Sequence, residues 1–151
     1  PDGCVFCTKG AADESTDEKN LVLARGEHNF VLMNTYPYNP GHLLVVPYAH
    51  VADLEELPRA ARHEMMDMLV EWKVRIGDAM NAHGVNMGVN LGTYAGAGIA
   101  EHVHAHIVPR WIGDTNFMTT VGGTRVMSQS LQELYDALRV PAGITPEGDG
   151  E

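Results

Sequence analysis

His102-Val103-His104-Ala105-His106-Ile107-Val108 alternates imidazoles with apolar side chains at every step. A strand sends successive side chains to opposite faces. This run therefore predicts three imidazoles on one face, with Val103, Ala105 and Ile107 on the other. Same-face neighbours along a strand stand roughly 6.5–7 Å apart. A histidine-rich surface strand or a plain metal site would be the blander explanations. Imidazole, however, is a good nucleophile toward phosphorus when neutral, and it is neutral for much of the time near pH 7. Only His104 has an imidazole on each side. The run reads as a phosphorus-transfer site with His104 as nucleophile and His106 as donor to phosphate oxygens or to the leaving group. His104 then needs a fixed tautomer, so its other ring nitrogen should donate to a nearby carbonyl.

Just upstream lies Asn90-Leu91-Gly92-Thr93-Tyr94-Ala95-Gly96-Ala97-Gly98. Glycines let backbone N–H groups approach an anion closely, and Asn90 and Thr93 add neutral donors. A glycine-rich loop alone is a weak signal; placed before the histidine run, it supports a phosphate ligand.

Further out, Leu21–Arg25, Asn29–Asn34, His42–Tyr48 and Val85–Leu91 read as strands. Tyr36 to Gly41 reads as a turn cluster. Ala61, Met65, Met68, Leu69, Trp72, Ile76 and Met80 recur at three- and four-residue steps. They predict one long helix with an apolar face, beginning near Pro58 and closed by a glycine cap at Gly84. His63 and His83 read as surface or helix-end residues. Ser128–Leu138 carries a second helical pattern. Helices separated by antiparallel-type strands predict an α+β domain over 1–140, with a disordered acidic tail over 141–151.

A chain of 151 residues with 44% hydrophobic content suits one domain with one core. The formal net charge of −10 offers no basic stripe for a nucleic acid polymer or an anionic membrane. It does not exclude a small phosphate ligand held by local donors. No apolar run is long enough to cross a bilayer, and no basic start leads into an apolar stretch, so a cytoplasmic protein is expected. The two cysteines, Cys4 and Cys7, cannot make a disulfide framework. They read as half a metal site or as a redox pair. A thioredoxin-like role lacks its βαβ context. Thiolates and imidazoles suit Zn²⁺, and four protein ligands make a closed structural site.

The alternating run resembles the signature of the histidine triad (HIT) superfamily. Asn39-Pro40-Gly41-His42-Leu43-Leu44-Val45-Val46-Pro47 is similar to that family's proline-glycine-histidine strand, and His50 with Leu54 and Leu57 to the segment after it. The resemblance runs from about Cys4 to Leu138. It implies a HIT-like fold: a half-barrel antiparallel sheet with one long helix and a C-terminal helix, assembled as a homodimer through helix and sheet edge. It implies nucleotidyl transfer to His104, with water or another acceptor taking the group. By the same matching, Asn34 contacts the nucleoside, Asn90, Gly96 and Gly98 contact phosphates, and His42 lies near the triad. In zinc-bearing members, the partners of Cys4 and Cys7 match His50 and His102.

One departure stands out. Common branches carry Gln then Ser or Thr where this chain has Gly98 and Ile99, so backbone donors would replace a side-chain contact to the scissile phosphate. Asn34 to His42, Asn90 to Thr93, Ala100-Glu101-His102, Pro109-Arg110-Trp111 and Asn116-Phe117 most resemble bacterial diadenosine tetraphosphate phosphorylases, in which phosphate is the acceptor. Trp111 is open to two readings, stacking on an adenine or packing. The expected activity is cleavage of dinucleoside polyphosphates through nucleotidyl-His104, with phosphate or water as acceptor. The alternatives are a phosphoramidase acting on P–N bonds and a non-catalytic protein that holds nucleotide or zinc.

Overall fold

The computed structural model describes residues 2–34, 40–113 and 131–140. In chain order it contains α1 (Val5–Ala11), a 3₁₀ turn, α2 (Asp17–Asn20), β1 (Val22–Arg25), β2 (Asn29–Met33) and β3 (Leu43–Pro47). After a second 3₁₀ turn come α3 (Arg59–Met80), β4 (Gly84–Val89), a third 3₁₀ turn at Thr93–Ala95, β5 (Ala105–Arg110) and α4 (Leu131–Leu138). The strands form one sheet in the order β1-β2-β3-β5-β4, with every pair antiparallel. The expected α+β architecture is therefore present: an antiparallel sheet, one long helix and a short C-terminal helix.

The central strands of the sheet are covered on both faces. Val31, Met33, Leu43, Val45, Ala105 and Ile107 pack against Ala61, Met65, Leu69, Trp72 and Ile76 of α3, joined by Leu134, Tyr135 and Leu138 of α4. On the opposite face, Phe30, Leu32, Leu44 and Val46 pack with Phe6 of α1. Strands β2 and β3 are thus buried on both sides, so they read as unbroken apolar runs rather than as alternation.

The long helix keeps its predicted apolar face but ends earlier than expected. Asn81, at φ 50°, closes it, with a backbone N–H reaching the Gly77 carbonyl, and Gly84 instead opens β4. Asparagine tolerates the left-handed conformation well enough to take glycine's place as a cap. Glycine is required elsewhere. Gly41 has φ 79°, and a Cβ there would collide with the Met80 sulfur, so the chain can enter β3 under the end of α3 only without a side chain. That entry sets His42 at the head of β3.

The histidine strand also starts later than the alternation predicts. Its ladder begins at Ala105; His102 stands in a bend, and Val103 and His104 precede the ladder, held by contacts such as Val103 N–H to the Val51 carbonyl. The two-faced pattern survives. Val103, Ala105 and Ile107 enter the α3 core, whereas the imidazoles turn toward α1. α1 itself is a seven-residue helix that no pattern in the sequence predicts. The turn residues Tyr36 to Asn39, the start of the Ser128 helix, Asn116, Phe117 and the 141–151 tail lie outside the described residues. No described helix is long and apolar enough to cross a membrane.

Candidate active site and metal centre

His104 is 6% exposed. Its Nδ1 lies 2.9 Å from the His102 carbonyl oxygen, which can only accept, so Nδ1 carries the proton and donates. This is the tautomer-fixing bond the sequence demanded. It leaves Nε2 with a bare lone pair. The His104 ring centroid is 4.9 Å from that of His106, closer than the spacing of same-face backbone positions, because the rings lean together edge to face. A cleft of about 340 Å³ opens beside them. Val5, Phe6, Leu32 and Leu44 give it an apolar side, and Asn34, His104 and His106 a polar one.

The protonation of His106 follows from its neighbours. The Asn34 amide nitrogen, a donor only, lies 3.2 Å from His42 Nδ1. His42 Nδ1 must accept, which puts its proton on Nε2. That Nε2–H donates across 2.8 Å to His106 Nδ1. The remaining His106 nitrogen, Nε2, is therefore a donor. Burial, reinforced by His106 and then His104, pushes the His42 pKa down to about 4, so the relay stays neutral near pH 7. Burial, and secondarily His104, also lowers the pKa of His106. A bare nucleophilic nitrogen thus stands beside a neutral N–H donor.

Behind this pair lies the cluster Cys4, Cys7, His50 and His102, whose ligand atoms all fall within 4.8 Å of one another. His50 Nδ1 and His102 Nδ1 are 3.2 Å apart; the Cys4 sulfur is 3.4 Å from His102 Nδ1, and the Cys7 sulfur 3.3 Å from His50 Nδ1. Tetrahedral zinc with ordinary Zn–N and Zn–S bonds would set these edges at about 3.3 Å and about 3.5 Å. His102 Nε2 lies 2.8 Å from the Pro47 carbonyl and donates to it, so Nδ1 presents a lone pair to the cluster. The donor set fits a metal ion. Phe6, between the two cysteines in sequence, packs on both His102 and His104.

The remaining predicted residues separate into two groups. Asn34 and Gly98 line the cleft, and His42 sits behind His106. Asn90, Thr93 and Gly96 lie on the exposed loop after β4, away from the cleft lining. Trp111 also lies away from it: its indole N–H donates to the Met80 and Asn81 carbonyls at the end of α3, a packing position. Sequence reasoning missed the α1 wall of Val5, Phe6 and Lys9. The signal was available, because a metal pair bracketing Phe6 must bring the residues between its ligands to the histidine strand.

Residues 15–111 match the HIT domain family model. Over 78% of its length the chain is 48% identical to a protein named AP-4-A phosphorylase from Mycobacterium tuberculosis, and it spans 60% of that relative's length. A Schizosaccharomyces pombe protein named bis(5'-nucleosyl)-tetraphosphatase (asymmetrical) is 30% identical over 59% of this chain and 48% of its own. Among solved structures, a zinc-bound histidine triad family protein from Mycobacterium smegmatis superposes with a TM-score of 0.60 at 28% identity, covering 74% of this chain and 78% of that one.

Proposed function

The chain belongs to the HIT domain family, and from that premise we propose that it transfers a nucleotidyl group from dinucleoside polyphosphates through a covalent intermediate on His104. The observation carrying this reading is the His104 tautomer: Nδ1–H is committed to the His102 carbonyl, so the bare Nε2 belongs to a cleft that also holds a donor. Similarity to proteins named as a phosphorylase and a tetraphosphatase of dinucleotides supports the substrate class.

In the first step His104 Nε2 attacks the α-phosphorus. A P–N bond forms, and the bond from that phosphorus to the bridging oxygen breaks. The His106 Nε2–H donates to the phosphoryl oxygens and to the departing oxygen, where charge develops. Asn34 and His42 hold that proton in place, acting as positioning residues. In the second step inorganic phosphate or water attacks the same phosphorus, and the His104 lone pair returns. The apolar side of the cleft, with Phe6 and Leu32, receives the nucleoside.

Cys4, Cys7, His50 and His102 would hold Zn²⁺, which supplies a structural cross-link between the N-terminus and the catalytic strand rather than a reacting centre. Support comes from the fit of the edges and from the zinc-bound neighbour. Thiolate ligands kept reduced suit a cytoplasmic setting. A homodimer accords with Met66, Val70 and Val74, exposed in a row on α3, and with the edge position of β4 among the described strands.

Product analysis tests the activity. Diadenosine tetraphosphate is incubated with the protein, with and without phosphate, in water enriched in heavy oxygen. Phosphate-dependent ADP and ATP without heavy oxygen identify a phosphorylase, and phosphate-independent cleavage with incorporation identifies a hydrolase. No turnover in either condition overturns the reading.

A further inference from the structure

Lys9 has no role in the chemistry above, yet it lines the same cleft as His104 and His106. Its backbone is fixed from both ends of α1. Cys4 and Cys7 lie in the metal cluster, and the Arg25 guanidinium accepts no freedom at the other end, donating to the Lys9, Gly10 and Ala12 carbonyls. Among the described residues that line the cleft, Lys9 is the one fixed cation. It makes no ion pair among the described residues, although the chain carries 20 acidic residues against 10 basic ones. A half-buried ammonium without a counter-charge among those residues is costly. Burial, and secondarily His104, lowers the pKa of His106, so that lining imidazole supplies a hydrogen bond rather than a net charge for a polyphosphate near pH 7.

We propose that Lys9 is a specificity-determining residue that receives the phosphates beyond the one attacked by His104, so that the cleft selects polyphosphate over monophosphate nucleotides. This rests on the reading of the cleft as a nucleotide site. A cation carried on a fixed helix wall can donate to a distant phosphate, and the substrate then supplies the counter-charge that the described residues do not.

Isothermal titration calorimetry of the intact protein with AMP, ADP and ATP, without added Mg²⁺, tests this. Wild type should bind ATP more tightly than AMP. Lys9→Gln should cut that preference by about tenfold, the size of one charge-assisted hydrogen bond. Lys9→Arg should retain most of it. Matching melting curves would show that the variants fold. Equal weakening of all three nucleotides in Lys9→Gln would mean that Lys9 meets the base or the first phosphate, and unchanged binding would mean that it meets nothing; either result overturns the proposal and leaves the nucleotide site standing. Wild type that binds none of the three overturns the nucleotide reading and this proposal with it.

Discussion

β5 has a neighbour on each side, and the two sides differ. Toward β3 the sheet is closed: Leu43 and Val45 are 0% exposed, and α1 covers the histidine face. Toward β4 it is open. β4 ends the sheet, Met87 is 44% exposed, and Met66, Val70 and Val74 on α3 are 54–58% exposed. The closed side carries the triad, the His42 relay and the cluster of Cys4, Cys7, His50 and His102. The open side carries the loop with Asn90, Thr93 and Gly96, which one chain leaves outside the cleft. One chain thus brings the triad, His42 and the cysteine–histidine cluster together, whereas among the described residues β4 is an edge strand and α3 carries an exposed apolar row.

The comparison breaks most sharply at His104. His104→Ala should lower turnover of diadenosine tetraphosphate by at least about a thousandfold, because among the described residues lining the cleft no other ring nitrogen is left bare, while nucleotide binding changes little. Steady-state rates and calorimetry check both halves of that statement. The next largest effect concerns the closure of the histidine side. Cys7→Ser, or removal of metal by a chelator, should abolish metal binding, one ion per chain, and lower Tm by about 10 °C, since α1 loses its tie to the catalytic strand. Metal analysis with differential scanning calorimetry measures it, and an unchanged Tm would remove the structural role of the cluster.

The open side should break differently. Val70→Asp should weaken self-association by at least about tenfold, read by analytical ultracentrifugation, while leaving Tm of the metal-loaded chain little altered. If the protein is monomeric at all concentrations, the apolar row has some other use. The smallest effect is a pH dependence. His42 has its folded pKa depressed from 6.5 to about 4, so the unfolded chain binds the proton first as pH falls. The associated stability is fully present above 6.5 and is lost progressively down to about 4. Melting temperatures across that window should fall less steeply in His42→Asn than in wild type.

Much of the closed side was legible in the sequence. Alternation named His102, His104 and His106 and sorted their faces, because period-two patterning survives even where Val103 and His104 leave the ladder. The helix face from Ala61 to Ile76 was equally plain. The helix end was not, since Asn81 and Gly84 both carry cap chemistry and only tertiary packing chooses between them. α1 was hidden because seven residues hold too little periodicity to signal a helix, and its place depends on contacts with His50 and His102 far along the chain. The direction of the Asn34–His42–His106 relay was out of reach for the same reason: it comes from strand register, which aligns Leu44 with His106 and brings His42 to the same end of the sheet.

The central claim is the covalent histidine. The protein is mixed with diadenosine tetraphosphate in the absence of phosphate, quenched within the first turnover, and examined by intact mass spectrometry followed by peptide mapping. One added adenylyl group per active chain is expected on His104, disappearing on addition of phosphate or on longer exposure to water. Full turnover with no adduct at any quench time, or an adduct on a different residue, would contradict it.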